Sequence, residues 1–246
     1  MSGQAGFLLA WALAAPPGAG GPPAFVGSFA FANERGDELL ALNDLPEPSR
    51  FVRAVCDGGR TLRVKWRSKQ ERGAQDSGRQ TARNFRNTAG DLFRLGGKVA
   101  EDEVCLIVDA GFLATRNLLA LRRDESPCDT ATRERLASAR GREVSACWLK
   151  AVDRGDGRLV LVEFARQGAD LLASLGLLGP DGLAFHDYPA RWDETQTSCW
   201  RVDDGCRLDP PALSVLFAYR TAAGRHGLAV AWGGPEGENL ELIETD

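Results

Sequence analysis

The sequence predicts a mainly β, β-rich α+β protein: an antiparallel meander closed as a barrel or folded as a sandwich, with one or two short helices and disulfides. Three observations predict it. Apolar and polar residues alternate with period two along much of the chain. Gly- and Asp-containing turns cut that alternation at hairpin spacing. Six cysteines accompany only two histidines. The 246 residues are 43% apolar and 26% charged, an ordinary globular composition. It excludes a wholly disordered chain, a collagen-like repeat and a polytopic membrane protein. The net charge of −4 is too mild to name a partner.

The first clear strand is residues 49–56. Phe51, Arg53 and Val55 would share one face, and an arginine on that face places the strand at a sheet edge. Asp57-Gly58-Gly59 turns the chain into residues 61–67, where Leu62, Val64 and Trp66 face one way and basic residues the other. Residues 68–90 break the pattern. They read as a long polar loop, with Phe85 its nearly solitary apolar anchor and room for one helical turn. Strands resume at 91–95 and 104–108. Residues 131–140 form the best helix candidate, opened after Pro127-Cys128-Asp129-Thr130 and closed by Gly141. Hairpins follow: 143–152 with 158–166, and 171–178 with 183–188. The stretch 169–178 reads equally as a short helix. Strands at 213–220, 227–232 and 239–244 complete the series.

Residues 1–32 carry no charged side chain. Residues 7–15 form an apolar run of signal-peptide length, residues 16–23 are rich in Pro and Gly, and Ala30-Phe31-Ala32 offers small residues where a signal peptidase cuts. The first six residues lack the usual Lys or Arg, so the competing reading is an uncleaved extension or a first strand at 25–32. The expected organisation is a signal peptide or extension at 1–32 and one globular β-rich domain at 33–246, with a subdivision conceivable near 125–141. The apolar run is too short to span a bilayer.

Cys56, Cys105, Cys128, Cys147, Cys199 and Cys206 are even in number, all follow residue 32, and show no C-x-x-C spacing. Disulfides in an oxidising compartment account for them better than a metal site does. Cys199–Cys206 is the first choice of bridge, with Cys56–Cys105 and Cys128–Cys147 the local choices for the rest. No metal and no cofactor is expected. The protein is read as secreted or periplasmic.

No phosphate-binding loop, dinucleotide fingerprint, nucleophile elbow or zinc-protease motif is present, and two histidines exclude any centre built on three. No catalytic residue can be named. The densest functional chemistry lies between residues 186 and 206. His186, Asp187, Tyr188, Arg191, Trp192, Asp193, Glu194, Trp200, Asp203 and Asp204 would form a ligand-binding rim if a Cys199–Cys206 clip held them in one surface loop. A second feature is a basic run from Arg60 to Lys98 opposed only by Glu71, Asp76 and Asp91. Within it, Arg63, Lys65, Trp66, Arg67, Lys69, Arg72, Arg83 and Arg86 form a candidate patch for an anionic partner. Such runs are more often simply solvated, or neutralised within the fold by an acidic segment such as residues 236–246.

The expected function is an exported, disulfide-stabilised binding or interaction protein without catalysis. Its ligand is unidentified, with a small molecule, a carbohydrate and a protein all open. Overall acidity and export count against nucleic acid. The alternative is an extracytoplasmic hydrolase, carbohydrate-acting by its chemistry, that uses paired carboxylates from 186–206.

Overall fold

A computed structural model describes residues 27–153, 157–179, 182–193, 213–234 and 237–245. Its first half is governed by alternation. Strands β1 (Gly27–Ala32), β2 (Glu38–Ala41), β3 (Phe51–Val55), β4 (Thr61–Gln70), β5 (Gly90–Leu95) and β6 (Val104–Asp109) close a fully antiparallel barrel in the order β1-β2-β5-β4-β3-β6. Inward positions are small or apolar: Ala30, Ala32, Leu39, Ala54, Val64, Phe93 and Ile107 fill the interior. The intervening positions face out, as the pleat requires: on β4 and at Arg94 of β5 they carry charge, and on β1, at Val55 of β3 and on β6 they are apolar and covered by other parts of the chain. Closure leaves no free strand edge.

Two expectations change here. The strand read as an edge, β3, pairs with both β4 and β6. The register shifts between Phe51 and Arg53, so the strand buries Phe51 and Ala54 in the barrel while Arg53 stays half-exposed. Residues 27–32, read as the end of a leader, are a barrel strand. β1 pairs with β2 on one side and β6 on the other, and Ala30, Phe31 and Ala32 are buried. A cut after Ala32 would open the ring.

The second half is a sandwich. After a short helix α1 (Ala110–Ala114), the strands are β7 (Arg116–Leu118), β8 (Leu121–Arg123), β9 (Val144–Asp153), β10 (Arg158–Gln167), β11 (Asp170–Gly179), β12 (Gly182–Arg191), β13 (Leu213–Thr221), β14 (His226–Gly234) and β15 (Gly237–Thr245). They form a five-stranded sheet, β12-β11-β10-β9-β8, and a four-stranded sheet, β15-β14-β13-β7. Leu159, Leu161 and Leu175 of the first pack on Val215, Leu228 and Val230 of the second. The barrel-or-sandwich question thus resolves into one of each. Residues 169–178, read as strand or helix, are strand from Asp170 onward.

The outer face of each sheet is also covered. Phe217, Tyr219 and Ala229 of the four-stranded sheet pack on Val55, Leu106 and Val108 of the barrel and on Phe112 of α1. Helix α2 (Thr130–Arg140) lays Leu136 against Val160, Val162 and Phe164 of the five-stranded sheet. It begins where Asp129 accepts a hydrogen bond from the Thr132 amide at 2.7 Å and ends at left-handed Gly141. The disulfides Cys56–Cys105 and Cys128–Cys147 each fasten one half, the first in the barrel core and the second beneath α2. Cys199 and Cys206 lie outside the described residues. Among those described, no helix is long and apolar enough to cross a membrane.

Candidate functional site

Outward alternation points Arg63 and Lys65 of β4 away from the barrel, and a register shift between Trp66 and Ser68 leaves Arg67 exposed and sets exposed Lys69 opposite Asp91. The neighbouring strands continue the basic face. Arg53 of β3 lies directly opposite Arg63, and Arg94 of β5 lies directly opposite Lys65. Glu38 of β2 sits on the other side of Arg94. Opposed side chains on adjacent strands are about 5 Å apart at Cβ, and like charges there repel. Two like-charged pairs on one sheet surface therefore work against the barrel's stability. Among the described residues, Arg63, Lys65 and Arg94 form no ion pair.

This face leads into a groove of two merging clefts, about 310 and 370 Å³. The β1–β2 turn contributes Asn33, Arg35, Asp37 and Glu38; β4 and β5 contribute Arg67, Ser68, Gln70, Leu92 and Arg94; the loop before β5 contributes Arg83 and Arg86. Both clefts share Asn33, Arg35, Glu38, Arg67 and Arg86.

The walls are held in place. Asn33 organises the turn: its amide nitrogen donates to Asp37 at 2.9 Å, and its amide oxygen accepts from the Asp37 backbone. The bond from the Asn33 amide nitrogen holds the Asp37 carboxyl below the usual carboxylate range. Gly36 adopts φ 65° and lies so close to Val99 that a Cβ would stand 1.9 Å from its carbonyl oxygen. The loop read as polar and long is pinned just as firmly. Buried Asn84 donates to Asp76, to the Arg79 carbonyl and to Thr88, and accepts from the Ser77 amide. Gln70 donates to the Phe85 and Thr88 carbonyls at 2.6 Å. Phe85 is buried edge-on against Phe31. With residues 84 and 85 fixed, exposed Arg83 and Arg86 start from a rigid base.

Of the eight residues read as the anionic-partner patch, the structure brings Arg67, Arg83 and Arg86 to the groove and leaves Arg63 and Lys65 on the adjoining barrel face. Lys69 is paired with Asp44, and Arg72 with Asp76 within the loop. Trp66 faces inward, its indole donating to Asp91 at 3.2 Å. Arg35 and Arg94 were missed as site residues. Arg94 occupies an outward position of a strand that was recognised, but its neighbours depend on a strand order that alternation does not reveal.

The 186–206 segment is arranged differently from a rim. His186, Asp187, Tyr188 and Arg191 belong to strand β12, which continues to Arg191. Period-two alternation divides them. His186 and Tyr188 turn toward the four-stranded sheet: their rings meet edge-on at 4.9 Å, the His186 Nε2 lies 3.8 Å from Glu241 of β15, and Tyr188 packs into the sandwich core. Burial, with Glu241 adding to it, pushes the Tyr188 phenol above its ordinary range. Asp187 turns the other way, accepting from Ser174 at 2.6 Å and from Arg140 of α2. Trp192 stacks under Arg166, 5.0 Å from ring centroid to guanidinium carbon, and Asp193 follows it. Glu194, Trp200, Asp203 and Asp204 lie outside the described residues. Neither cleft includes a residue of 186–193. Compared with known proteins, the chain matches no family model, and no curated protein or solved structure is similar to it.

Proposed function

We propose that the chain is a secreted or periplasmic binding protein, without catalytic activity, that holds an acidic polysaccharide against the basic face of the barrel. The observation that carries this reading is the pair of like-charged oppositions, Arg53 with Arg63 and Lys65 with Arg94, on a surface where neutral residues would serve the fold better. A polyanion laid across these strands would turn both repulsions into attraction. The two disulfides support the extracytoplasmic part of the proposal. Because β1 belongs to the barrel, any processing of the leader would fall before Gly27.

Aromatic placement favours a polysaccharide over single-stranded nucleic acid. Base stacking supplies much of the affinity for single strands, yet the aromatics of the basic run are turned from solvent: Trp66 and Phe93 face the barrel interior, and Phe85 is buried against Phe31 and Leu40 on its outer wall. The surface therefore reads charge, and the one ring at the groove, Phe85, is 3% exposed and already packed. Titration with a heparin-type sulfated hexasaccharide tests the proposal. Saturable binding that weakens as salt rises from 50 to 200 mM is expected, and a desulfated hexasaccharide should bind at least tenfold less tightly. Equal binding of the two sugars would refute it.

A further inference from the structure

We propose that the groove beside Arg35, Arg86 and Arg94 is a discrete seat for one tetrahedral oxoanion, a sulfate or phosphate monoester carried on a single sugar-sized ring. This rests on the reading of the barrel as a polyanion-binding surface and adds to it a defined subsite. Three separate parts of the chain deliver the guanidinium groups: the β1–β2 turn, β5, and the loop that follows Asn84. Among the described residues, none of the three makes an ion pair.

Two of the three carboxylates that share the groove are already engaged. Glu38 is ion-paired with Arg67 and accepts from Asn33 at 3.3 Å, and Asp37 accepts from the same Asn33 side chain at 2.9 Å. Glu34 is the third, on the rim. Five arginines against three acids leave an excess of positive charge, and the uncommitted part of it is Arg35, Arg83, Arg86 and Arg94.

Residue type and size narrow the ligand. Every cation in the groove is arginine, whose planar fork matches two oxygens of a phosphate or sulfate at once, as a lysine ammonium does not. At about 310 and 370 Å³ the clefts fall at the small end of ligand sites. They admit one ring bearing one oxoanion; a longer glycan would have to run out of the groove onto the Lys65–Arg63 face. That geometry makes the groove a register point for the polymer.

Calorimetric titration of the full chain with glucosamine 6-sulfate, glucosamine 6-phosphate and unesterified glucosamine, at equal ionic strength, tests this. Both esters should bind at least tenfold more tightly than glucosamine. Arg86→Ala and Arg35→Ala should each weaken ester binding about tenfold. Arg86→Lys should recover only part of the loss, and Arg122→Ala, which removes an exposed arginine of the sandwich, should change nothing. Between pH 5 and 7 the phosphate ester should gain affinity several-fold as its second proton, of pKa about 6, leaves, while the sulfate ester stays level. A preference for either ester identifies the source and supports the seat. Esters that bind no better than glucosamine, or full recovery by Arg86→Lys, would overturn it. If the hexasaccharide still binds in that case, only the subsite falls; if neither ester nor hexasaccharide binds, the polyanion reading falls with it.

Discussion

The barrel and the sandwich use arginine in opposite ways. In the sandwich, arginine is mostly an internal fastener. Arg116 donates to Glu244 at 2.9 Å, beside the buried Tyr219 hydroxyl, which donates to the same carboxylate oxygen. Arg225 reaches the other oxygen of Glu244. Arg142 donates to the Ala165 and Asp170 carbonyls at 2.7 and 2.6 Å, Arg133 donates to the Val144 carbonyl, and Arg158 ties Asp129 at the start of α2. In the barrel, Arg60 and Arg67 have carboxylate partners, but Arg35, Arg63, Arg83, Arg86 and Arg94 form no ion pair among the described residues. Two of them are set directly opposite another cation. Where a side chain serves the fold, its polar atoms are used up within the molecule. Where they are left open and mutually repelling, the fold gains nothing from them and a ligand can.

The contrast can be broken most forcefully in the sandwich. Glu244→Ala leaves two guanidinium groups and the buried Tyr219 hydroxyl without their shared acceptor. It is expected to cost about 3 kcal/mol in chemical denaturation while leaving hexasaccharide affinity unchanged. A cost below 1 kcal/mol would mean that Glu244 is not the fastener described. The corresponding change in the barrel should have the opposite sign. Lys65→Glu places a carboxylate across from Arg94, and stability should rise by about 0.5 kcal/mol as hexasaccharide binding weakens several-fold. Such opposed effects are the mark of a surface kept for function at some expense to the fold. Loss of stability, or unchanged binding, would remove the barrel's side of the contrast.

The smallest effect is on pH. Hydrogen bonds from the Thr132 side chain and amide, and from Arg158, lower the Asp129 carboxyl from 3.8 to about 2. A depressed folded-state pKa contributes stability that is complete above pH about 4 and lost as the pH falls toward 2. Asp129→Asn keeps the helix cap but cannot titrate, so its stability should change less with pH over that window than the parent's does. Parallel curves would show that Asp129 does not contribute to acid sensitivity.

Much of this architecture was legible in the residues. Alternation located β4, with Trp66 inward and Arg63 and Lys65 outward, and local spacing paired Cys56 with Cys105 and Cys128 with Cys147. The groove was not legible, for a reason that lies in strand order. Glu38, Arg94 and Lys65 are neighbours because β2 pairs with β5 and β5 with β4, and no local periodicity encodes a non-sequential pairing. The 186–206 segment shows the converse. Its residue types suggested one site, but β12 runs on to Arg191, and a strand sends successive side chains to opposite faces. His186 therefore meets Glu241, while Asp187 meets Arg140 under α2. The stretch 68–90 reads as a polar loop, but β4 runs on to Gln70 and β5 starts at Gly90, so the loop proper is 71–89; its rigidity depends on the four hydrogen bonds of the buried Asn84 side chain, which composition does not record.

The central claim is that the barrel's open arginines form a polyanion-binding face. Comparing the affinity for the sulfated hexasaccharide of the natural chain and of the variant Arg63→Ala, Lys65→Ala, Arg86→Ala, Arg94→Ala, each at 50 and 200 mM salt, tests it most directly. The natural chain should lose at least tenfold in affinity across that range. The variant should bind at least a hundredfold more weakly at 50 mM, depend less on salt and unfold at no lower denaturant concentration. Equal affinity and equal salt dependence of the two proteins would contradict it.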